Sequence, residues 1–121
     1  SPDSDFARLD PDSTAQKALV SYIYQNYSGK ITLDDIAAAG HVSRSKCCRI
    51  FHDYLRQSPV DFLNRYRLEI SRRLLGESGL SVTDTATACG FGHLSYFSKL
   101  FRECFGCTPK EYRKRSQSPT D

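Results

Sequence analysis

Apolar residues along this chain recur at steps of three and four, the spacing of one face of a helix. The pattern is clearest in residues 89–109, CGFGHLSYFSKLFRECFGCTP. Gly90 and Phe91 mark the end of one helix and the start of a tight turn. From Leu94 to Cys104, one face carries Phe97, Leu100, Phe101 and Cys104, and the opposite face carries Ser95, Lys99 and Arg102. A short helix, a turn and a second helix with a polar, basic outer face is the helix-turn-helix pattern, whose second helix lies in the DNA major groove.

The same reading extends to the rest of the chain. Ser13 and Gln16 predict a capped first helix with Leu19, Tyr22, Ile23 and Tyr27 inward, stopped by Ser28-Gly29-Lys30. Thr32 and Asp35 cap a short second helix with Leu33, Ile36 and Ala37 inward, ending near Gly40. Ser43 caps a third, running to about Leu55. Its inner face is Cys47, Ile50, Phe51 and Tyr54, and its outer face is Ser45, Cys48, Arg49 and His52. Ser58-Pro59 opens a fourth with Pro at the first position, where no N–H is needed. Phe62, Leu63, Tyr66, Ile70 and Leu74 form its inner stripe, Gly76 and Gly79 end it, and its length is about 27 Å. Asp61, Arg65, Glu69 and Arg73 step by four along it and read as a solvated ion-pair ladder. Ser81 and Asp84 cap a fifth helix with Val82, Ala86 and Cys89 inside. Leu94 opens the sixth, and Thr108-Pro109 with Glu111 opens a seventh carrying Tyr112. The expected fold is all-α. Its seven helices make two helix-turn-helix subdomains, 13–57 and 78–115, joined by a linker helix at 58–77. Residues 1–12 are expected to be a disordered tail or linker from something upstream, and 116–121 a disordered tail.

The chain repeats itself. Thr32, Leu33, Asp35 and Ala37 recur 49 residues on as Ser81, Val82, Asp84 and Ala86. Ser45, Cys47, Phe51, Ser58 and Pro59 recur 50 residues on as Ser95, Phe97, Phe101, Thr108 and Pro109. The change of offset predicts one extra residue in the second turn. Charge is distributed unevenly. The net charge of +3 resolves into −3 over residues 1–42, +5 over 43–75 and +1 over 76–121, a pattern suited to one face meeting a polyanion.

Other chemistry finds little support. Five cysteines, an odd number without an export signal, suit reduced thiols better than a disulfide framework. Cys104 and Cys107 form a lone C-x-x-C without the second pair a zinc site wants, and Cys47, Cys89 and Cys104 fall on apolar faces. Cys48 alone lies on the outer face of the third helix, where oxidation would block DNA binding. His41, His52 and His93 have no nucleophile or carboxylate at a catalytic spacing, and no Gly-rich phosphate loop is present. No enzyme, metal or cofactor is expected, and no run reaches the roughly 20 apolar residues of a membrane span.

Ser43, Phe51, Ser58-Pro59, Arg67-Leu68, Leu74-Leu75, Ala86, Gly90-Phe91, Ser95-Tyr96-Phe97, Phe101, Gly106, Pro109 and Tyr112-Arg113 together form a specific motif. On these residues the chain resembles the DNA-binding domain of the AraC/XylS transcription regulators, from about residue 14 to 115. The resemblance implies a bacterial, cytoplasmic regulator, nucleoid-associated when bound. Both recognition helices (about 43–55 and 93–105) would stand on one side of the fold and meet successive major-groove segments of double-stranded DNA, in an asymmetric site of about 15–20 base pairs. It also implies contact with RNA polymerase and a separate N-terminal effector or dimerisation domain. Arg49 and Lys99, equivalent in the repeat, are expected at base edges, and only Arg can pair bidentately with guanine. Arg44, Ser45, Cys48, Leu94, Ser95 and Tyr96 are further base-contact candidates. Ser43, His93 and Thr108, at helix starts, are phosphate-contact candidates. Three residues depart from the family pattern: Arg56 where the second copy has Gly106, Cys47 in place of a larger apolar residue, and His93 in place of a stronger cap. The alternative is a helical protein-interaction domain that has lost DNA affinity.

Overall fold

Local capping chemistry sets where the helices begin in the computed structural model, which describes residues 10–117. The helices are α1 (Pro11–Asn26), α2 (Leu33–Ala39), α3 (Arg44–Ile50), α4 (Pro59–Glu77), α5 (Val82–Ala88), α6 (Leu94–Phe105) and α7 (Pro109–Gln117). Helix α3 runs on into a π-helical turn, Phe51–Leu55. No strand occurs among the described residues. Thr32 caps α2 through a reciprocal box with Asp35, and Ser43 and Ser81 accept from Lys46 N and Asp84 N to cap α3 and α5. Ser58 caps α4 through Asp61 N at 3.0 Å.

The start of α1 differs from expectation. Asp10 caps it, accepting from Asp12 N at 3.1 Å, and Pro11 takes the first helical position. Asp10-Pro11 thus repeats the device of Ser58-Pro59, and Ser13 lies inside the first turn. Residues 10–12 are not tail, and residues 116 and 117 are helical. The remainder of the expected tails, 1–9 and 118–121, lies outside the described residues. Gly76 does not end α4, since one glycine costs a helix only about 1 kcal/mol. The helix stops at Glu77, followed by Ser78, whose hydroxyl donates to Leu74 O at 2.7 Å.

The duplication holds at the level of backbone hydrogen bonds. His41 N and Val42 N donate to Ala38 O and Ala37 O, and Gly90 N and Phe91 N donate to Thr87 O and Ala86 O, the same turn 49 residues on. Four residues, 40–43, separate α2 from α3, and five, 89–93, separate α5 from α6, which places the extra residue where the offset predicts it. Each turn needs one residue with positive φ: His41 at 55° in the first copy, Gly90 at 92° in the second. The π turn after α3 and helix α6 each then end at a left-handed residue, Arg56 at φ 57° and Gly106 at φ 80°.

Contacts divide the chain into two units: residues 10–26 with Ile31–Leu63, and Tyr27–Lys30 with residues 64–117. The boundary falls within α4. In the first unit the buried residues are Leu19 and Ile23 of α1, Ile36 and Ala37 of α2, Cys47 and Ile50 of α3, Phe51, and Pro59 and Leu63 of α4. Phe62 stands edge-on to Phe51 at 5.6 Å. Tyr54, expected inside, is 43% exposed at the end of the π turn and donates its hydroxyl to Asp10 at 2.7 Å. That bond pushes the Tyr54 phenol up to about 12 and lowers the Asp10 carboxyl.

The second unit is built on aromatic pairs: Phe91–Phe97 at 5.0 Å, Phe97–Phe101 at 5.7 Å and Phe101–Phe105 at 4.7 Å. Leu68, Leu75, Ala86, Cys89 and Cys107 complete the cluster. The inner stripe of α4 departs from expectation. Leu63, Arg67, Leu68, Ser71 and Leu75 are buried, while Phe62, Tyr66, Ile70 and Leu74 are half-buried. Arg67 is buried because its Nε and Nη2 donate to Tyr27 O and Gly29 O at 2.7 and 2.8 Å, and burial lowers its pKa. Its guanidinium also lies 5.8 Å from the centre of the Phe91 ring. A Cβ on Gly90 would meet Tyr27 O at 2.5 Å and Arg67 Nε at 2.9 Å, so the glycine admits this arrangement as well as supplying the φ. The ion-pair ladder on α4 does not form. Glu69 pairs with Arg72 at 2.7 Å, and Arg72 stacks over Phe105 at 4.6 Å, because the aromatic face holds the guanidinium on that side.

Arg56 in the left-handed region costs roughly 1 kcal/mol relative to glycine. Arg56→Gly is expected to stabilise the chain by about that amount, a rise in melting temperature of roughly 4 °C, with Gly106→Ala costing a similar amount. Thermal denaturation followed by circular dichroism checks both. No gain from Arg56→Gly would refute the strain argument.

Candidate nucleic-acid interface

In the first unit, burial of Cys47, Ile50 and Phe51 leaves Arg44, Ser45, Cys48, Arg49 and His52 on the exposed face of α3 and its π turn. Arg44 pairs with Asp34 at 3.3 Å, with side chains 68% and 72% exposed. So open a pair contributes little and yields readily to a phosphate or base. Arg49 is exposed and makes no ion pair within 4.0 Å among the described residues. His52 faces Asp53 at 3.3 Å.

In the second unit, Phe97 and Phe101 turn inward and Leu94, Ser95, Tyr96, Lys99 and Arg102 face out along α6. Leu94 is 43% exposed at the first helical position, and Lys99 has no ion pair among the described residues. Arg49 and Lys99 therefore occupy matching exposed places, each following the same hydrogen-bonded turn. Within each unit, the base-contact candidates predicted from sequence are exposed on the first two turns of one helix.

The phosphate-contact candidates differ in what they have to offer. Ser43 Oγ accepts from Lys46 N at 3.1 Å and keeps its proton to donate. His93 caps α6 without a side-chain hydrogen bond, so its imidazole is uncommitted at an exposed helix start. Thr108 is more occupied: its N donates to Glu111 Oε1 at 2.9 Å and its Oγ1 accepts from Glu111 N at 3.1 Å. This box lowers the Glu111 pKa and sets a carboxylate beside the start of α7.

Sequence reasoning passed over two residues that touch these faces. Lys46, on α3, pairs with Asp12 at 3.1 Å, and Asn64, on α4, donates to Tyr96 Oη at 3.2 Å. Their partners lie 34 and 32 residues away, beyond the reach of helical periodicity. The 50-residue offset that equates Lys46 with Tyr96 was the available signal. Among the described residues, no three His, Cys, Asp or Glu side chains gather to hold a metal ion, and no helix is long and apolar enough to cross a membrane.

Comparison with known proteins places this geometry. Residues 36–115 match a family described as a helix-turn-helix domain. An uncharacterized HTH-type transcriptional regulator of Bacillus subtilis, YdeC, is 38% identical over 102 residues, covering 84% of this chain and 35% of that protein. The HTH-type transcriptional activator RhaS of Klebsiella pneumoniae is 36% identical over 100 residues, covering 79% of this chain and 34% of its own length. The chain thus spans about a third of these relatives. Among solved structures, an AraC-type regulator from Chromobacterium violaceum superposes with a TM-score of 0.80 at 32% identity, covering 88% of this chain and 96% of that one. The DNA-binding domain of AdpA, solved in complex with a target DNA, gives 0.80 at 26% identity, covering 88% and 97%.

The five cysteines are free thiols of unequal accessibility. Burial pushes Cys47 and Cys89 up to about 11, whereas Cys48 stands exposed on the α3 face. Alkylation of the native chain near neutral pH is expected to label Cys48 and leave Cys47 and Cys89 unmodified until the chain is denatured. Peptide mass spectrometry reads this directly, and early labelling of Cys47 or Cys89 would contradict the packing described.

Proposed function

Because the chain belongs to the AraC-type family of helix-turn-helix transcription regulators, we propose that it is the sequence-reading part of a longer bacterial regulator and that α3 and α6 each read a major-groove segment of one duplex. The family is one of DNA-binding regulators and not of enzymes. The observation that carries the reading is the duplicated face: Arg49 and Lys99 at equivalent exposed places, without an ion pair among the described residues, on helices that follow turns with the same two hydrogen bonds. An uninterrupted α4 of 19 residues, about 28 Å, supports a two-segment site, since successive major-groove segments lie roughly 34 Å apart along the duplex.

The roles divide by chemistry. Arg49 offers two parallel donors to guanine O6 and N7, and Lys99 a single charged donor. Ser45, Cys48 and Ser95 are short enough to let the backbone approach the base edges. Leu94 suits a thymine methyl, and Arg44 exchanges Asp34 for DNA. Ser43 and His93 serve the phosphates at the starts of α3 and α6, and Thr108 does so through its hydroxyl proton. RNA polymerase is the proposed partner, the sense of regulation activation as in RhaS, and an effector or dimerisation domain occupies the further length that relatives possess. The place of action is the cytoplasm.

Selection from a random duplex pool, followed by binding to the selected duplex, tests the reading. Affinity should fall steeply with salt. Arg49→Ala should cost about 1–3 kcal/mol and relax selection at one base position, and Lys99→Ala should weaken binding in the second segment. A chain that binds selected and unselected DNA alike, indifferent to Arg49→Ala, would overturn it.

A further inference from the structure

We infer that Asn64 is a positioning residue for sequence reading, which holds Tyr96 with its hydroxyl proton free for the duplex; this rests on the DNA-reading function proposed above. Tyr96 is the third residue of α6 and 47% exposed, a place where an unrestrained ring exchanges among rotamers. Two contacts restrain it. Its ring meets Phe91 at 6.5 Å, at 61° between planes, and its Oη accepts from Asn64 Nδ2 at 3.2 Å. Both anchors are themselves fixed: Phe91 is buried against Phe97, and Asn64 lies on α4 three residues before Arg67, which two backbone carbonyls hold.

The direction of the hydrogen bond matters. Asn64 donates its amide proton, so the phenol uses a lone pair and retains its own proton for a base acceptor or phosphate oxygen. The first unit supplies an independent parallel. Lys46, equivalent to Tyr96, is tied to Asp12 of α1 at 3.1 Å. Each unit therefore tethers the third residue of its recognition helix to the long helix that precedes it. An ion pair does this in one copy and an amide–phenol bond in the other. Unlike side chains restrained at one repeated position point to a requirement of the position.

The test is a double-mutant cycle on the full chain, using a duplex selected by the wild type and an unselected duplex at the same salt. Asn64→Ala should weaken the selected complex about two- to tenfold, the cost of ordering one side chain on binding. It should leave unselected binding, the salt slope and the melting temperature unchanged, and have no further effect in a Tyr96→Phe background. Asn64→Asp should weaken selected binding more than Asn64→Ala, because a carboxylate accepts a hydrogen bond from the phenol and so occupies the proton the duplex would use. The inference falls if the Asn64→Ala loss persists in the Tyr96→Phe background or affects both duplexes equally. Failure of the wild type to select any sequence would show in the control and would remove the DNA-reading function and this inference together.

Discussion

The second unit depends on one buried guanidinium. Arg67 reaches from α4 to the carbonyls of Tyr27 and Gly29 and brings the connector after α1 against the turn that precedes α6. Burying an arginine is costly unless its donors are satisfied, and backbone carbonyls satisfy them without a second buried charge. The arrangement is exacting. It needs a residue without Cβ at Gly90, and it sets the cation over Phe91, whose ring supports Phe97 on the inner side of α6. The inner ring stack and the outer face of α6 are therefore fixed by the same contact, because α6 cannot rotate about its axis without unpacking Phe97 and Phe101.

Much of this was legible in the sequence where the chemistry is local. Thr32 with Asp35, Ser43, Ser81, and Ser58-Pro59 announce helix starts because a cap and its recipient lie three residues apart. The exposed faces of α3 and α6 were legible because burial of Cys47, Ile50, Phe97 and Phe101 leaves their helical neighbours outside. What escaped depends on distant partners. Arg67 and Ser71 occupy an inner stripe that an apolar count rejects, and the Arg67 acceptors lie about 40 residues away. Asp10 was hidden among aspartates that resemble a solvated tail, and only the fold shows that it caps α1 and receives Tyr54. The ion-pair ladder failed for a related reason, since Glu69 pairs instead with Arg72, which the distant Phe105 ring holds on that side.

The two copies share a backbone and have diverged in the side chains they expose. Arg44 corresponds to Leu94, Lys46 to Tyr96 and Arg49 to Lys99 in the repeat, so the first copy is richer in guanidinium and the second in apolar and aromatic surface. Guanidinium favours guanine edges, whereas leucine and tyrosine favour methyl groups and stacking contact. A duplicated scaffold with unlike faces suits a target lacking two-fold symmetry, in contrast with paired identical subunits on a palindrome.

The left-handed residues carry a consequence for the free chain. The second copy places glycine at both positions, Gly90 and Gly106, and the first places histidine and arginine, His41 and Arg56. At roughly 1–2 kcal/mol for each side chain so constrained, the first copy stores backbone strain that the second lacks. Amides of α2 and α3 should therefore exchange with solvent deuterium through more frequent local opening than those of α5 and α6. The first copy is thus the softer of the two and the second the stiffer.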